Sequence, residues 1–527
     1  MQSKLITLDR AASVIADGAT VTVSSSSGLG CPDAMLRAIG DRFRATGSPA
    51  GITSIHPIAA GDMYGIDGID HIAEEGLLRR VIAGSYPSGP SSMASPKIWQ
   101  LIYDNQIEAY NVPSGILFHM HTDAAAKRPG VLTKVGLDTY IDPRQTGGRM
   151  NARTTDEIVK VVQFDGDEWL YFRAIPIDVA IIRATTADEQ GNLTYEHEGA
   201  YLGAMDQALA ARNNGGIVIA QVKRVTAGGT LRTQDVRVPG NLVDYIVVDP
   251  EQMQTTQTQY DPAISGEIRA SLDAFEPVPW GTDKVIARRA AMDLMRGDAV
   301  NLGFGISALV PRILLEEGHA GAVTWAIEQG AVGGVPLLGF AFGCAANAMA
   351  IVPSPQQFVY FQGAGFDRTF LSFLQVDGNG SVNVSKLAAK PHVTAGVGGF
   401  VDITANARSI VFSGYLTAGG IDLALEDGAL QIRKEGKVRK FVNELEQVSF
   451  SGKRAIAREA RVVYVTERCV LELRPEGLVV TEIAPGVDLE RDVLGQIECS
   501  VSVASDLRQM DARLFDPAPM GLDLGSD

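Results

Sequence analysis

Residues 11–36 and 290–315 match at one constant offset, which pairs Ala11 with Ala290, Ala12 with Ala291, Gly18 with Gly297, Val21 with Val300, Pro32 with Pro311 and Leu36 with Leu315. Each copy reads as a helix, a glycine turn, a short apolar strand, a small-residue loop and a helix starting near the proline. A second echo, at its own offset, links DQALAARNNGGIVIAQV at 206–222 with DITANARSIVFSG at 402–414, each an amphipathic helix feeding a buried strand. A chain that repeats on this scale folds as two like units. Alternating β and α signals make each unit a mostly parallel sheet flanked by helices. The expected fold class is therefore α/β, with two similar open lobes: an N-terminal domain over 1–250 and a C-terminal domain over 281–527. The polar, proline-rich stretch 251–280, with QMQTTQTQYDP and EPVPW, serves as the linker. The ligand site is expected in the cleft between the lobes.

Charge is spread unevenly. Over the whole chain 20% of residues are charged, with 46 Lys and Arg against 62 Asp and Glu and a net charge of −16. That field repels polyanions and argues against nucleic acid or an anionic membrane surface as a partner. From 318 to 366, where an even spread would put about ten charges, the only one is Glu328. A carboxylate in such surroundings loses hydration unless it is paired or does chemistry. One reading is a glutamate neutralised by an arginine from elsewhere. The other is a functional acid: in WAIEQGAVGGVP, Glu328 follows an apolar strand and precedes a glycine turn. That is the carboxyl edge where open α/β sheets bind ligands.

Other motifs narrow the field. Residues 330–352 form a run of 23 without charge, but five glycines and a proline within it argue against a membrane span. Cys31, Cys344, Cys469 and Cys499 have neither CxxC nor metal-ligand spacing, and are read as reduced thiols of a cytoplasmic protein. The start, MQSKLITLDRA, lacks the apolar core of a secretory signal. His119 and His121, read as sharing a strand face near Asp123, lack an identifiable third ligand, so no metal site is expected and both are taken as surface or pocket-lining. GFGISA at 303–308 fits a GxGxxA loop, without a clear ribose-binding acid further on. Neither GxSxG nor a Walker A lysine occurs.

AIEQGAVGGVP resembles the glutamate motif of the class I (family I) coenzyme A transferases. VNLGFGIS at 300–307 is similar to the strand and glycine loop opening their β-type half, and DGATVTVSSSSGLGCP at 17–32 to the opening of their α-type half. QVDGNGSVNVSK, GVGGFVDI, TEIAPGVDLERDVL, LTKVGLDTYIDPRQTGGRMN and the closing LFDPAPMGL extend the likeness to the single-chain acetate or propionate CoA-transferase branch, in which both halves are fused.

The resemblance implies Glu328 as nucleophile and CoA as substrate and covalent intermediate, with no tightly bound cofactor. It implies acyl-CoA and short-chain carboxylates as partners, and a homo-oligomer, dimer or tetramer. Gly396, Gly398 and Gly399 match the loop beside the reacting thioester; Asn347, Gly363, Gly365 and Lys386 match the active-site and CoA-binding region. Three positions depart from the family pattern: Ser114 stands where glutamine is common, Ser24, Ser25 and Ser26 replace Gly-Gly-Phe, and Gln329 replaces Ser or Asn. Ser114 leads us to expect a roomier or more polar acyl pocket. Two further readings stay open: an acyl-CoA hydrolase on the same scaffold, and a non-catalytic acyl-CoA-binding protein.

Overall fold

The computed structural model describes residues 3–525. Two sheets organise it. The first has eight strands, seven of them parallel in the order Tyr245–Val248, Ile217–Thr226, Val179–Asp188, Thr20–Val23, Ile52–His56, Leu78–Ala83 and Glu108–Asn111. Leu193–Thr194 adds antiparallel to Val179–Asp188. The second has ten strands, with Thr324–Ala326, Ala299–Leu302, Arg368–Ser372, Ser409–Ser413 and Arg461–Val465 forming a parallel run and Gly477–Ile483 pairing parallel with Ser502–Gln509 at its end. All ten residues of Val179–Asp188 and all five of Ile52–His56 are buried, as expected for strands covered on both faces.

The repeat is visible in the backbone. Gly18 and Gly297 precede the first strand of each lobe with φ of 75° and 86°, and neither has anything within 4 Å of an added Cβ, so backbone conformation alone favours glycine there. Pro32 stands immediately before the helix Asp33–Thr46, and Pro311 lies in the first turn of Val310–Glu316. In both sheets this first strand has chain-later strands on either side, so strand order reverses there and the carboxyl edge opens into a crevice.

The lobes share one apolar cluster. Its bridge is the helix Ser114–Ala125 of the first lobe, apolar and buried almost all round, which packs on Ala204–Asn213 of its own lobe and on Ser354–Gln362 of the other. Phe118 meets Phe358 there with ring centroids 5.6 Å apart. Residues 249–281 run between the two sheets and contribute a strand to neither. The uncharged run 330–352 is a set of two-residue strands and turns, and among the described residues no helix is long and apolar enough to cross a membrane.

Candidate active site

Glu328 is placed by a tight reversal. After Thr324–Ala326 the chain turns, with Ile327 and Ala331 joined by an N–H to carbonyl bond of 2.9 Å, and returns antiparallel as Ala331–Val332. Gly330 makes the reversal possible: its φ is 121°, and a Cβ there would lie 1.9 Å from the Val352 carbonyl oxygen. The side chain thus stands at the carboxyl edge of the second sheet, one strand from its switch point.

The loop 396–399 meets it. The Gly399 N–H donates to Glu328 Oε2 at 3.1 Å. The first lobe fixes this loop: Gly398 N–H donates to the Gly84 carbonyl at 2.8 Å, and Ser114 N–H donates to the Gly398 carbonyl at 2.9 Å. Asn111 accepts from Val397 N–H at 3.1 Å and donates to the Ala83 and Gly84 carbonyls at 3.1 and 2.7 Å. Two of its glycines have no room for a side chain, since a Cβ on Gly399 would lie 2.5 Å from Glu328 Oε2 and one on Gly396 would lie 2.7 Å from Asn111 Nδ2. Strand ends of one lobe therefore position a donor on the other against Glu328.

Electrostatics make Glu328 unusual. Packed about by protein yet still touching solvent, it forms no ion pair among the described residues, so the arginine-neutralised reading does not hold. Burial foremost, and then the negative charge of Asp402, push its pKa up to about 7, while the Gly399 N–H opposes the rise. Asp402 is fully buried on the short helix Phe400–Thr404, and burial raises it too to about 7 against donors that favour its charge. Those donors are Gln362 Nε2 at 2.7 Å and Gly115 N–H at 2.9 Å. Asp402 lies inside the GVGGFVDI motif, where nothing local marks it out. Replacing Asp402 by Asn removes the smaller of the two causes that lift Glu328, so the acid limb of the kcat/KM profile moves modestly to lower pH. An unmoved limb in stopped-time assays across pH 5–9 would show that Asp402 does not tune Glu328.

Two of the departures from the family pattern touch each other. Gln329 Nε2 donates across the lobes to Ser26 Oγ at 3.1 Å, and Ser354 Oγ donates to the Gln329 carbonyl at 3.2 Å. Gln329 Oε1 and Ser114 Oγ are buried without a hydrogen-bond partner. Ser114 is fully buried at the start of its helix, and a Cβ on Gly84 would lie 2.4 Å from its hydroxyl.

The remaining expected residues spread out. Asn347 clamps the linker instead: its side chain accepts from Ala270 N–H at 2.8 Å and donates to the Ala270 carbonyl at 2.9 Å. Gly363 and Gly365 end the helix Ser354–Gln362, where Gly363 follows the Gln362 that holds Asp402. Lys386 is exposed and lines a cavity of about 150 Å³ with Arg149, Trp99, Tyr103 and Met150. His119 and His121 sit on the helix Ser114–Ala125, not on a strand, with His119 half-buried and His121 buried. His121 is buried between Thr22 Oγ1 at 2.8 Å and the Leu117 carbonyl at 2.7 Å, and burial lowers its pKa to about 4. No group of three or more His, Cys, Asp or Glu among the described residues is arranged to hold a metal. All four cysteines are buried and unpaired.

Residues 5–249 match the family model for coenzyme A transferase. The chain is 39% identical over 520 residues to an acetate CoA-transferase, YdiF, of Escherichia coli K12, covering 98% of this chain and 96% of that one. It is equally 39% identical over 526 residues to a caffeate CoA-transferase of Acetobacterium woodii, covering 99% of each. The crystal structure of the Escherichia coli O157:H7 acyl-CoA transferase YdiF in thioester complex with CoA superposes with a TM-score of 0.91 at 37% identity, over 100% of this chain and 98% of that one. With the repeated lobes and a lone acid at their junction, these likenesses show that the chain belongs to the family I coenzyme A transferases, in the branch that carries both halves on one polypeptide.

Proposed function

We propose that this CoA-transferase works in ping-pong order through a glutamyl-CoA thioester on Glu328, exchanging CoA between short-chain carboxylic acids. The Glu328 carboxylate adds to the thioester carbonyl of an acyl-CoA, expelling CoA thiolate and leaving an acyl-glutamyl anhydride. The thiolate then attacks the glutamyl carbonyl of the anhydride, releasing the first acid as carboxylate and forming glutamyl-CoA. An acceptor carboxylate reverses both steps, so no proton is consumed and the thioester bond energy is kept. The observation that carries this reading is an acid without an ion pair, held by the Gly399 N–H in a cleft whose neighbouring sequence is uncharged.

Each demand of the chemistry has a matching feature. A pKa near 7 leaves Glu328 substantially ionised at neutral pH and more basic than an ordinary carboxylate, which favours attack. The Gly399 N–H, aimed at the Glu328 carboxylate, supports polarisation of the reacting carbonyl beside it. Lys386, lining the same cavity as Arg149, supports a contact to a CoA phosphate. The chain is as similar to an acetate CoA-transferase as to a caffeate CoA-transferase. The unpartnered Ser114 hydroxyl favours acids with more bulk or a polar substituent than acetate. A cytoplasmic homo-oligomer completes the reading.

Initial rates over a grid of acyl-CoA and acid concentrations test it. Parallel double-reciprocal lines are expected, and CoA release independent of any acid would mean a hydrolase. In the same assay Ser114→Gln is expected to shift preference toward acetate, by about tenfold or more in relative kcat/KM. Equal effects on every acid would remove Ser114 from the selection of substrate.

A further inference from the structure

We propose that a second cleft between the lobes, separate from the Glu328 site, binds a phosphate-bearing small molecule. It has a volume of about 490 Å³, ample for a nucleotide-sized ligand. The first lobe contributes the segment from Lys134 to Thr139; the second contributes Thr404 and the helix Gly452–Ala457 with its flanks.

Its charge runs against that of the whole molecule. In a chain of net charge −16, four cations, Lys134, Lys453, Arg454 and Arg458, line this one cleft with a single carboxylate, Asp138. Lys134 is paired with Asp167 at 2.6 Å and Arg454 with Asp138 at 3.2 Å. Lys453 and Arg458 have no carboxylate partner among the described residues. Arg458 donates through Nη2 to the Thr404 and Ala407 carbonyls at 2.9 and 3.0 Å, while its Nε is buried with no partner. Burial and the neighbouring Arg454 charge lower its pKa to about 10, the sign of a guanidinium lacking a counter-ion.

Excess positive charge in a concave site calls for a ligand with more than one negative charge, and arginine forks match phosphate oxygens. The small monocarboxylates of the proposed reaction supply neither the charge nor the bulk. Occupancy would also reach the catalytic region. Arg458 holds the last turn of the helix Phe400–Thr404, which begins beside Gly399 and carries Asp402. The Asp138–Arg454 pair spans the two lobes at the same place, so a bound anion would tie them together. The same phosphate chemistry has two sources, a free phosphorylated metabolite or the nucleotide end of CoA.

Calorimetric titration of the full chain with inorganic pyrophosphate tests the site. Binding is expected in the wild type and in Glu328→Ala, and is expected to weaken about tenfold or more in Lys453→Glu. Lys453 is exposed, so that variant should fold, and Arg458→Gln gives a second reading of the same loss. A raised KM for acyl-CoA in Lys453→Glu would assign the site to CoA's phosphates, and an unchanged KM would assign it to a separate anion; either supports the site. No pyrophosphate binding by the wild type, or equal binding by Lys453→Glu, would overturn it.

Discussion

Glu328→Gln is expected to lower CoA transfer by about a thousandfold or more, because the amide cannot form the anhydride or the thioester. The replacement keeps the shape and can still accept from the Gly399 N–H, so the loss reports chemistry. The same substitution should stabilise the fold at alkaline pH. In the folded chain Glu328 has its pKa raised to about 7 from 4.5, so the native state holds this proton more tightly than the unfolded chain does. Stability is therefore full below the unfolded value and declines as pH rises through the window up to about 7. Glutamine does not titrate, and the variant should melt at a higher temperature than wild type at pH 8, with the gap closing at pH 4. An inactive but less stable protein at pH 8 would mean that Glu328 holds the fold together.

Gly399→Ala is expected to cost about a hundredfold in kcat. Gly399 has an ordinary φ of −87°, so the backbone tolerates alanine and the penalty is steric. The new methyl would stand 2.5 Å from Glu328 Oε2 and 2.7 Å from Phe358 Cε1. Either the carboxylate swings off its donor or the loop shifts, and both misplace the nucleophile. Gly398 provides the contrast. A Cβ there meets Glu328 Oε1 at 3.7 Å, an ordinary contact, while its φ of 53° is one that alanine resists. Gly398→Ala should therefore lose less turnover than Gly399→Ala. The two are separated by steady-state kinetics, and equal turnover losses would remove the steric account.

What could be read from the chain depended on whether the signal was local. Glu328 was legible because one charge in a long uncharged run, next to a glycine turn, is a local pattern, and the structure sets it on that turn. The repeat was legible because each copy carries its own helix, glycine and strand, and Gly18 and Gly297 share a backbone conformation. Asp402 was missed because an aspartate early in a helix is ordinary in sequence, and only folding buries it beside a second acid. The Ser26–Gln329 bond joins residues more than half the chain apart, which no local pattern encodes. His119 and His121 were misread as a strand pair because their helix is buried almost all round and so lacks the polar face that marks a helical period. Asn347 matched a family position, but its amide was already committed to the linker backbone, a partner invisible to motif matching.

The central claim is that Glu328 carries CoA covalently. Wild type and Glu328→Ala are incubated with a short-chain acyl-CoA and no acceptor acid, then measured by intact-protein and peptide mass spectrometry. A CoA adduct on the peptide containing Glu328, absent from the variant, is the predicted result. Steady turnover with acceptor in the wild type and no adduct on Glu328, or an adduct that persists in Glu328→Ala, would contradict the account.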